Sequence, residues 1–500
     1  MFEGKDVNVI LANAGAGKTS WAINDVTKEL SYHRPEEIAF VTFTRKGAEE
    51  GLRRICSKLM LEPEDLPYFR TLHSLTFHAM NYKGNQMFGQ LDQRKFNKEF
   101  GYTVNRCEVD TGKVPPTKDT KYLEFYDLER SNALTSKQLA EADIEQGYYK
   151  QLVKNYESYK QRESKVDFFD CLIKYVENGE TLPCKIVYVD ECQDITILQW
   201  KVIEKAFYKA EKIILLGDDK QAIYSYSGAR PDILIELSKQ FPVEHLSMSY
   251  RLPKKVYELA NALTAFIGEK TEQKSVLREE NGEGTITQLN SIERIVNFIN
   301  EDALINDVDH TAWYILARNN CYLDTPKQIL EDALIPYWTA DGFFMGGEII
   351  KRLKDYEGFK LEGYKNEQKR EDFARKFGIE DFNKPFTDTN LFTEGRKWVY
   401  ASYIEKYGLK KLEEMCKWNP QILVSTIHHV KGGEADNVAV MLDTTRKTKN
   451  NVFNDIDEEL RILYVSVTRT KHNLFLVASQ NGDGYDNILQ VIKEENGLEW

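Results

Sequence analysis

The chain has 500 residues, 42% apolar and 29% charged, the balance of a soluble globular protein too long for one hydrophobic core. Its net charge of −12, from 67 basic and 79 acidic residues, excludes a protein coated in basic patches but leaves room for a local nucleic-acid groove. No apolar run is long enough to span a bilayer, and the start "MFEGKD" carries no secretory signal; seven scattered cysteines without a CxxC pair read as reduced thiols in an intracellular protein.

The first predicted element is the apolar, β-branched run Val7 to Leu11, which reads as a buried strand. Ala12, Asn13, Ala14, Gly15, Ala16 and Gly17 follow, too small and flexible to pack as strand or helix. From Lys18 the pattern turns helical, through Trp21, Ala22 and Val26. Strand, small-residue loop and helix make a phosphate cradle, because loop N–H groups and the positive helix end face one point. Lys18 would reach the β- and γ-phosphates of ATP, and the Thr19 hydroxyl would hold Mg²⁺. Ala12 stands where the P-loop consensus has Gly. On this stretch alone, an ordinary glycine-rich strand-to-helix turn is the other reading.

Strand-like runs recur at 37–44, 185–191, 212–219, 311–318, 422–429, 438–443 and 473–479, separated by helical patterns. Rich in Val and Ile, they predict parallel sheets covered on both faces. They fall into two groups, before and after about residue 250, and so predict two α/β cores. The polar stretch 269–285 reads as a surface loop. Residues 81–150 and 357–415 lack strong strands and read as helical insertions.

"KIVYVDECQD" puts Asp190 and Glu191 at a strand end, where ligands bind in open parallel sheets. Asp190 suits a Mg²⁺ ligand, and Glu191 suits a base acting on the attacking water. An acidic turn after a strand is the plainer alternative. In "LLGDDKQAIYSYSGAR", Gln221 can contact the γ-phosphate, while Tyr224 and Tyr226 suit either a binding face or the core. Arg251 follows an aromatic and Arg469 lies near the start of a strand-like run, and phosphoryl transfer needs such positive charge on the γ-phosphate.

In order, "ANAGAGKT", "VTFTRKGAEE", "TLHSL", "VDECQD", "GDDKQAIYSYSGA", "SYR", "TIHHVKGGEADNV" and "LYVSVTRTK" resemble the motif series of superfamily 1 helicases, in the UvrD/Rep/PcrA branch. The resemblance covers about residues 7–480. It implies an α/β fold of two RecA-like parallel-sheet P-loop domains with short, mostly helical insertions and ATP between the domains. The implied boundaries are 1–80 with 145–250 for domain 1A, 81–144 for insertion 1B, 251–356 with 416–500 for domain 2A, and 357–415 for insertion 2B. Lys18 and Thr19 match the phosphate and Mg²⁺ contacts, and the cradle runs from Ala12 to Ser20. Asp190 and Glu191 match the metal and base pair, and Gln221 matches the γ-phosphate sensor. Tyr250 matches the adenine-stacking aromatic, while Arg251 and Arg469 match two arginine fingers. Glu434 matches a carboxylate joining the nucleotide and DNA sites. Phe43 and Tyr226 match base-stacking aromatics, though either ring could be core. Thr42, Thr44, Arg45, His73, Thr426 and His428 match nearby strand contacts.

Three departures bear on function. Only six residues precede Val7, so the upstream Gln motif that reads adenine is expected to be missing. Ser20 stands where relatives often carry Arg, and Ser227 replaces an Arg common after the stacking aromatic. The chain is expected to carry no nuclease-like tail. The implied activity is ATP-dependent 3′ to 5′ movement on single-stranded DNA and unwinding at single-strand/duplex junctions, by a monomer in the cytoplasm or nucleoid. The implied partners are replication or recombination proteins, with no membrane. Rival readings are a translocase that displaces bound proteins, a DNA-binding adaptor with a decayed ATPase, and an RNA helicase.

Overall fold

The computed structural model describes residues 2–109, 116–132, 134, 144–273, 275–305, 311–346, 349–351, 354–355, 359, 366–377, 397–417, 421–446, 448–449, 455–480, 482 and 484–499. Of these, side chains are not described at 45–46, 108–109, 302–305, 376–377, 397–399, 401 and 405. The chain divides into two compact units. The first is Met1–Glu283 with Asn450–Thr468, and the second is Gly284–Lys449 with Arg469–Trp500.

In the first unit, strands β1 (Asp6–Ala12), β2 (Ile38–Thr42), β3 (Phe69–Thr71), β4 (Ile186–Asp190), β5 (Lys212–Gly217) and β6 (Val243–Leu246) form one sheet. Its order is β3-β2-β4-β5-β1-β6, and every pairing is parallel. Alternate side chains enter two separate cores. Val7, Val9, Val187, Val189, Ile213 and Leu215 join one. Ile10, Ile186, Tyr188, Ile214 and Leu216 join the other, against Ala22, Ile23 and Val26 of the helix Lys18–Glu29. Burial on both faces is why these strands read as unbroken apolar runs.

The same unit keeps a small parallel pair, β7 (Met248–Ser249) and β8 (Val276–Leu277), the second of them inside the stretch read as a surface loop. It also holds the helix Ile456–Val467, which packs on the helix Lys254–Ala265. Buried Arg461 pins that helix by donating to the carbonyls of Asp219 and Glu269. The division therefore falls at Glu283 rather than 250, and residues 450–468 return to the first unit. Arg251 belongs to this first unit, whereas motif order alone counts it with the second.

The described part of 81–144 is helical. The helices Gln90–Phe100, Lys118–Arg130 and Gln146–Arg162 share a core around Phe96, Leu123, Leu152 and Tyr156. Beneath it, Arg130 and Lys160 are buried against Asp127, Asp167 and Asp170. Glu157, Asp167 and Asp170 lie within reach of a common point, but Lys160 already pairs with all three. That makes the cluster structural.

The second unit is built on β9 (Thr285–Leu289), β10 (Trp313–Ala317), β11 (Trp338–Thr339), β12 (Gly342–Phe343), β13 (Ile422–Thr426), β14 (Ala435–Met441) and β15 (Thr470–Val477). The order is β12-β11-β13-β10-β14-β15-β9, parallel except for the β11–β12 hairpin. Trp313, Ile315, Val424, Ala439 and Phe475 make its core. Much of 357–415 lies outside the described residues. Its described parts are helical, including Glu367–Phe377 and Leu409–Met415. Among the described residues, no helix is long and apolar enough to cross a membrane.

Candidate nucleotide site and nucleic-acid track

The sheet order of the first unit brings distant motifs to one edge. Strands β4, β5 and β1 are neighbours and run parallel. Their carboxyl ends are Asp190, Gly217 and Ala12, so the carboxylate pair, the Gln221 turn and the small-residue loop meet there. This is where parallel sheets bind ligands.

The loop has cradle geometry. Gly15 and Gly17 adopt φ of 75° and 77°, a region costly for residues with a Cβ. A Cβ on Gly15 would lie 2.7 Å from the Arg251 Cβ, so the position is closed to larger residues. Gly17 caps the helix Lys18–Glu29, whose first N–H groups face the loop. The loop is braced from outside. The Ala14 N–H donates to the Tyr464 hydroxyl at 3.1 Å, and Ser249 Oγ donates to the Ala14 carbonyl at 3.1 Å. The Tyr250 N–H donates to the Gly15 carbonyl at 2.9 Å.

Lys18 Nζ lies 2.9 Å from Asp190 Oδ1 and 2.8 Å from Glu191 Oε1. Burial works to lower the Lys18 pKa, but the two carboxylates outweigh it and hold the ammonium above the ordinary lysine value. Burial, and then repulsion from Glu191, push the Asp190 carboxyl up, while Lys18 opposes them. One ammonium against two carboxylates leaves a net negative charge. The Asp190 carboxylate and the Thr19 hydroxyl are hard oxygen donors, so the set fits Mg²⁺.

Motif spacing does not reveal the next layer. Gln193 is fully buried, and its Nε2 donates to Glu191 Oε2 at 2.5 Å. Its Oε1 accepts from the Asp218 N–H at 3.0 Å. Asp218 in turn accepts from Gln221 Nε2 at 2.7 Å. Glu191 and Gln221 are thus linked through the buried Gln193 side chain and Asp218.

Tyr250 is 56% exposed beside Gly17, and the Arg278 guanidinium lies 5.5 Å from its ring centroid. Arg251 donates to the Thr468 carbonyl at 3.1 Å. Ser20 is exposed.

The residues matched to a DNA track follow β3, β2 and β5 on the same sheet edge. Tyr226 is 58% exposed, which removes the packed-tyrosine alternative. The Phe43 ring lies tilted 5.3 Å from Tyr224, which lies 6.2 Å from Tyr226, so three rings run together. Ser227 spends its hydroxyl on the Tyr224 carbonyl. Thr42 is buried, and the Thr44 hydroxyl caps its helix by accepting from the Gly47 N–H. Burial pushes the His73 imidazole down to about 4, so it is neutral at pH 7. His73 also meets the edge of exposed Phe168, an aromatic absent from the motif match. The Arg45 side chain lies outside the described residues.

In the second unit the matched residues separate. Thr426 ends β13 and His428 follows it. Glu434 precedes β14 and Arg469 precedes β15, at the opposite edge of a parallel sheet. Arg469 is buried and donates to the Gly433 carbonyl at 3.2 Å, while Glu434 pairs with Lys471 at 2.9 Å.

The chain matches the UvrD/REP helicase N-terminal domain over residues 2–242 and the UvrD-like helicase C-terminal domain over 359–481. It is 27% identical over 397 residues to the probable DNA helicase II homolog of Mycoplasma pneumoniae, covering 70% of this chain and 54% of that one. It is 26% identical over 372 residues to the ATP-dependent DNA helicase Rep of Escherichia coli, covering 68% and 54%. It is 24% identical over 374 residues to the ATP-dependent DNA helicase PcrA of Leuconostoc citreum, covering 68% and 49%. The chain spans about half the length of these curated relatives. With the cradle and its carboxylates at one sheet edge and both halves matched in order, the chain belongs to the UvrD/Rep family of superfamily 1 helicases.

Proposed function

We propose that this protein is an ATP-driven motor that moves on single-stranded DNA, 3′ to 5′, and separates duplex at junctions. The observation that carries the reading is the convergence of Lys18, Asp190, Glu191 and Gln221 at three adjacent strand ends, with exposed Tyr226 on the same unit. In this reading Lys18 and the loop N–H groups hold the phosphates. Thr19 and Asp190 would hold Mg²⁺, which would supply positive charge to the phosphate oxygens. Glu191 takes the proton of a water that attacks the γ-phosphorus, and the bond to the β,γ-bridging oxygen breaks to release ADP. Arg251 and Arg469 are assigned to the charge that develops during transfer. Base stacking suits a motor blind to sequence, because every base has a π-face.

Strand displacement on tailed DNA and tailed RNA duplexes tests the reading. The expected result is ATP-dependent displacement of 3′-tailed DNA. ATP-dependent clearing of bound protein without strand separation would assign the translocase role, and preference for RNA would remove DNA as the track. Tyr226→Ala is expected to weaken single-strand affinity about tenfold or more and to lower DNA stimulation of the ATPase, since a stacked ring contributes about 1–3 kcal/mol per base. Both are measured at one salt concentration. If the variant keeps its affinity and its stimulation, the strand does not cross Tyr226.

Nucleotide choice follows from Tyr250 and Ser20. Ring stacking reads no hydrogen-bond pattern, and exposed Ser20 puts no guanidinium beside the base. GTP is expected to be turned over with kcat/KM within about tenfold of ATP. A preference for ATP of about 10⁴ would show a buried polar group reading the adenine edge.

A further inference from the structure

We infer that Gln193 is a positioning residue that aims the Glu191 carboxylate and ties it, through Asp218, to Gln221. The inference rests on the reading of Glu191 as the base that acts on water.

Glu191 needs such a restraint. It sits at φ 58°, a left-handed conformation uncommon for a residue with a side chain, so the backbone alone sets an unusual direction for its carboxylate. Lys18 holds Oε1, and in the proposed reaction that ammonium is required by phosphate. Gln193 holds the other oxygen. Its carboxamide has one orientation available, because the Asp218 N–H must face an oxygen, which leaves the NH₂ for Glu191. Gly217 makes the space: a Cβ there would lie 2.9 Å from Gln193 Oε1 and 2.5 Å from Leu234 Cδ2. A buried amide with both ends satisfied does not turn freely, since any other rotamer strands a polar group without water.

The chain continues to the sensor. Asp218 is 1% exposed; its Oδ1 accepts from the Lys220 N–H at 3.2 Å and its Oδ2 from Gln221 at 2.7 Å. Glu191 and Gln221 follow different strand ends, those of β4 and β5. Gln193 and Asp218 relate their positions through a continuous run of hydrogen bonds. When Gln221 shifts to meet a γ-phosphate, the displacement is carried by these hydrogen bonds to the base.

Two variants separate positioning from packing. Gln193→Glu keeps the volume and the acceptor for Asp218 N–H but loses the donor to Glu191. Gln193→Met keeps the volume and loses both. Both are expected to bind a fluorescent ATP analogue and to show a KM for MgATP within about twofold of the parent. Both are expected to lose about 10- to 100-fold in single-turnover hydrolysis, the scale for misaiming a group that contacts the reacting atoms. Thermal unfolding of each variant is followed in parallel. A normal rate in Gln193→Glu overturns the inference, because the packing role then suffices. Loss of rate together with loss of nucleotide binding overturns it as well. Glu191→Gln, run beside them, tells the two failures apart. If that variant hydrolyses normally, the base assignment has failed. If it is inactive while Gln193→Glu is normal, only the relay has.

Discussion

Lys18→Ala is expected to lower ATP hydrolysis by about 10²–10³-fold or more, and strand displacement with it. A positioned charge on the transferring group is worth that much in related oxyanion sites. The structure adds a second consequence. Lys18 is the counter-charge of both Asp190 and Glu191, whose side chains are only 6% and 24% exposed. Removing one partner of a fully buried pair costs about 3–5 kcal/mol, because the remaining charge has nowhere to go. The cost here is smaller, since Glu191 keeps some water and burial already favours the neutral form of Asp190. The variant is expected to fold with a lowered melting temperature. Circular dichroism and thermal unfolding check the fold, and single-turnover hydrolysis checks the chemistry. Near-parental hydrolysis by a folded Lys18→Ala protein removes the P-loop assignment.

Glu191→Gln is expected to bind ATP and barely turn it over. The substitution keeps the volume, an acceptor for Lys18 and the neighbouring Asp190, so binding survives. It removes the only group at the strand end proposed to take the proton from water. Losing a positioned base costs about 10²–10⁴-fold. The measurement is single-turnover hydrolysis beside nucleotide affinity. A loss of only a few-fold takes Glu191 out of that role. With its one oxygen kept on Lys18, the amide at 191 turns its NH₂ toward the Gln193 NH₂, so the variant removes that hydrogen bond together with the base.

Strands β1, β4 and β5 were legible from residues alone because both their faces are buried, and burial on both faces writes an unbroken apolar run. The motifs at their ends were legible for the same reason: they begin where the run stops. Strands β3, β6 and β9 were not. They are edge strands, short or half-exposed, and "FRT", "VEHL" and "TITQL" carry too few apolar residues to stand out. Tertiary structure decided what depends on pairing across the chain. It put Arg251 with the first unit, because Ser249 and Tyr250 hydrogen-bond to a loop more than two hundred positions away. It made His73 neutral by packing water away from the ring. It also turned Gln193, a polar residue in an acidic turn, into a buried link between Glu191 and Asp218. A sequence records which residues are apolar and at what period, and that determines strands and their ends. Which polar groups are desolvated, and against whom, is settled only when distant strand ends are brought within hydrogen-bond reach.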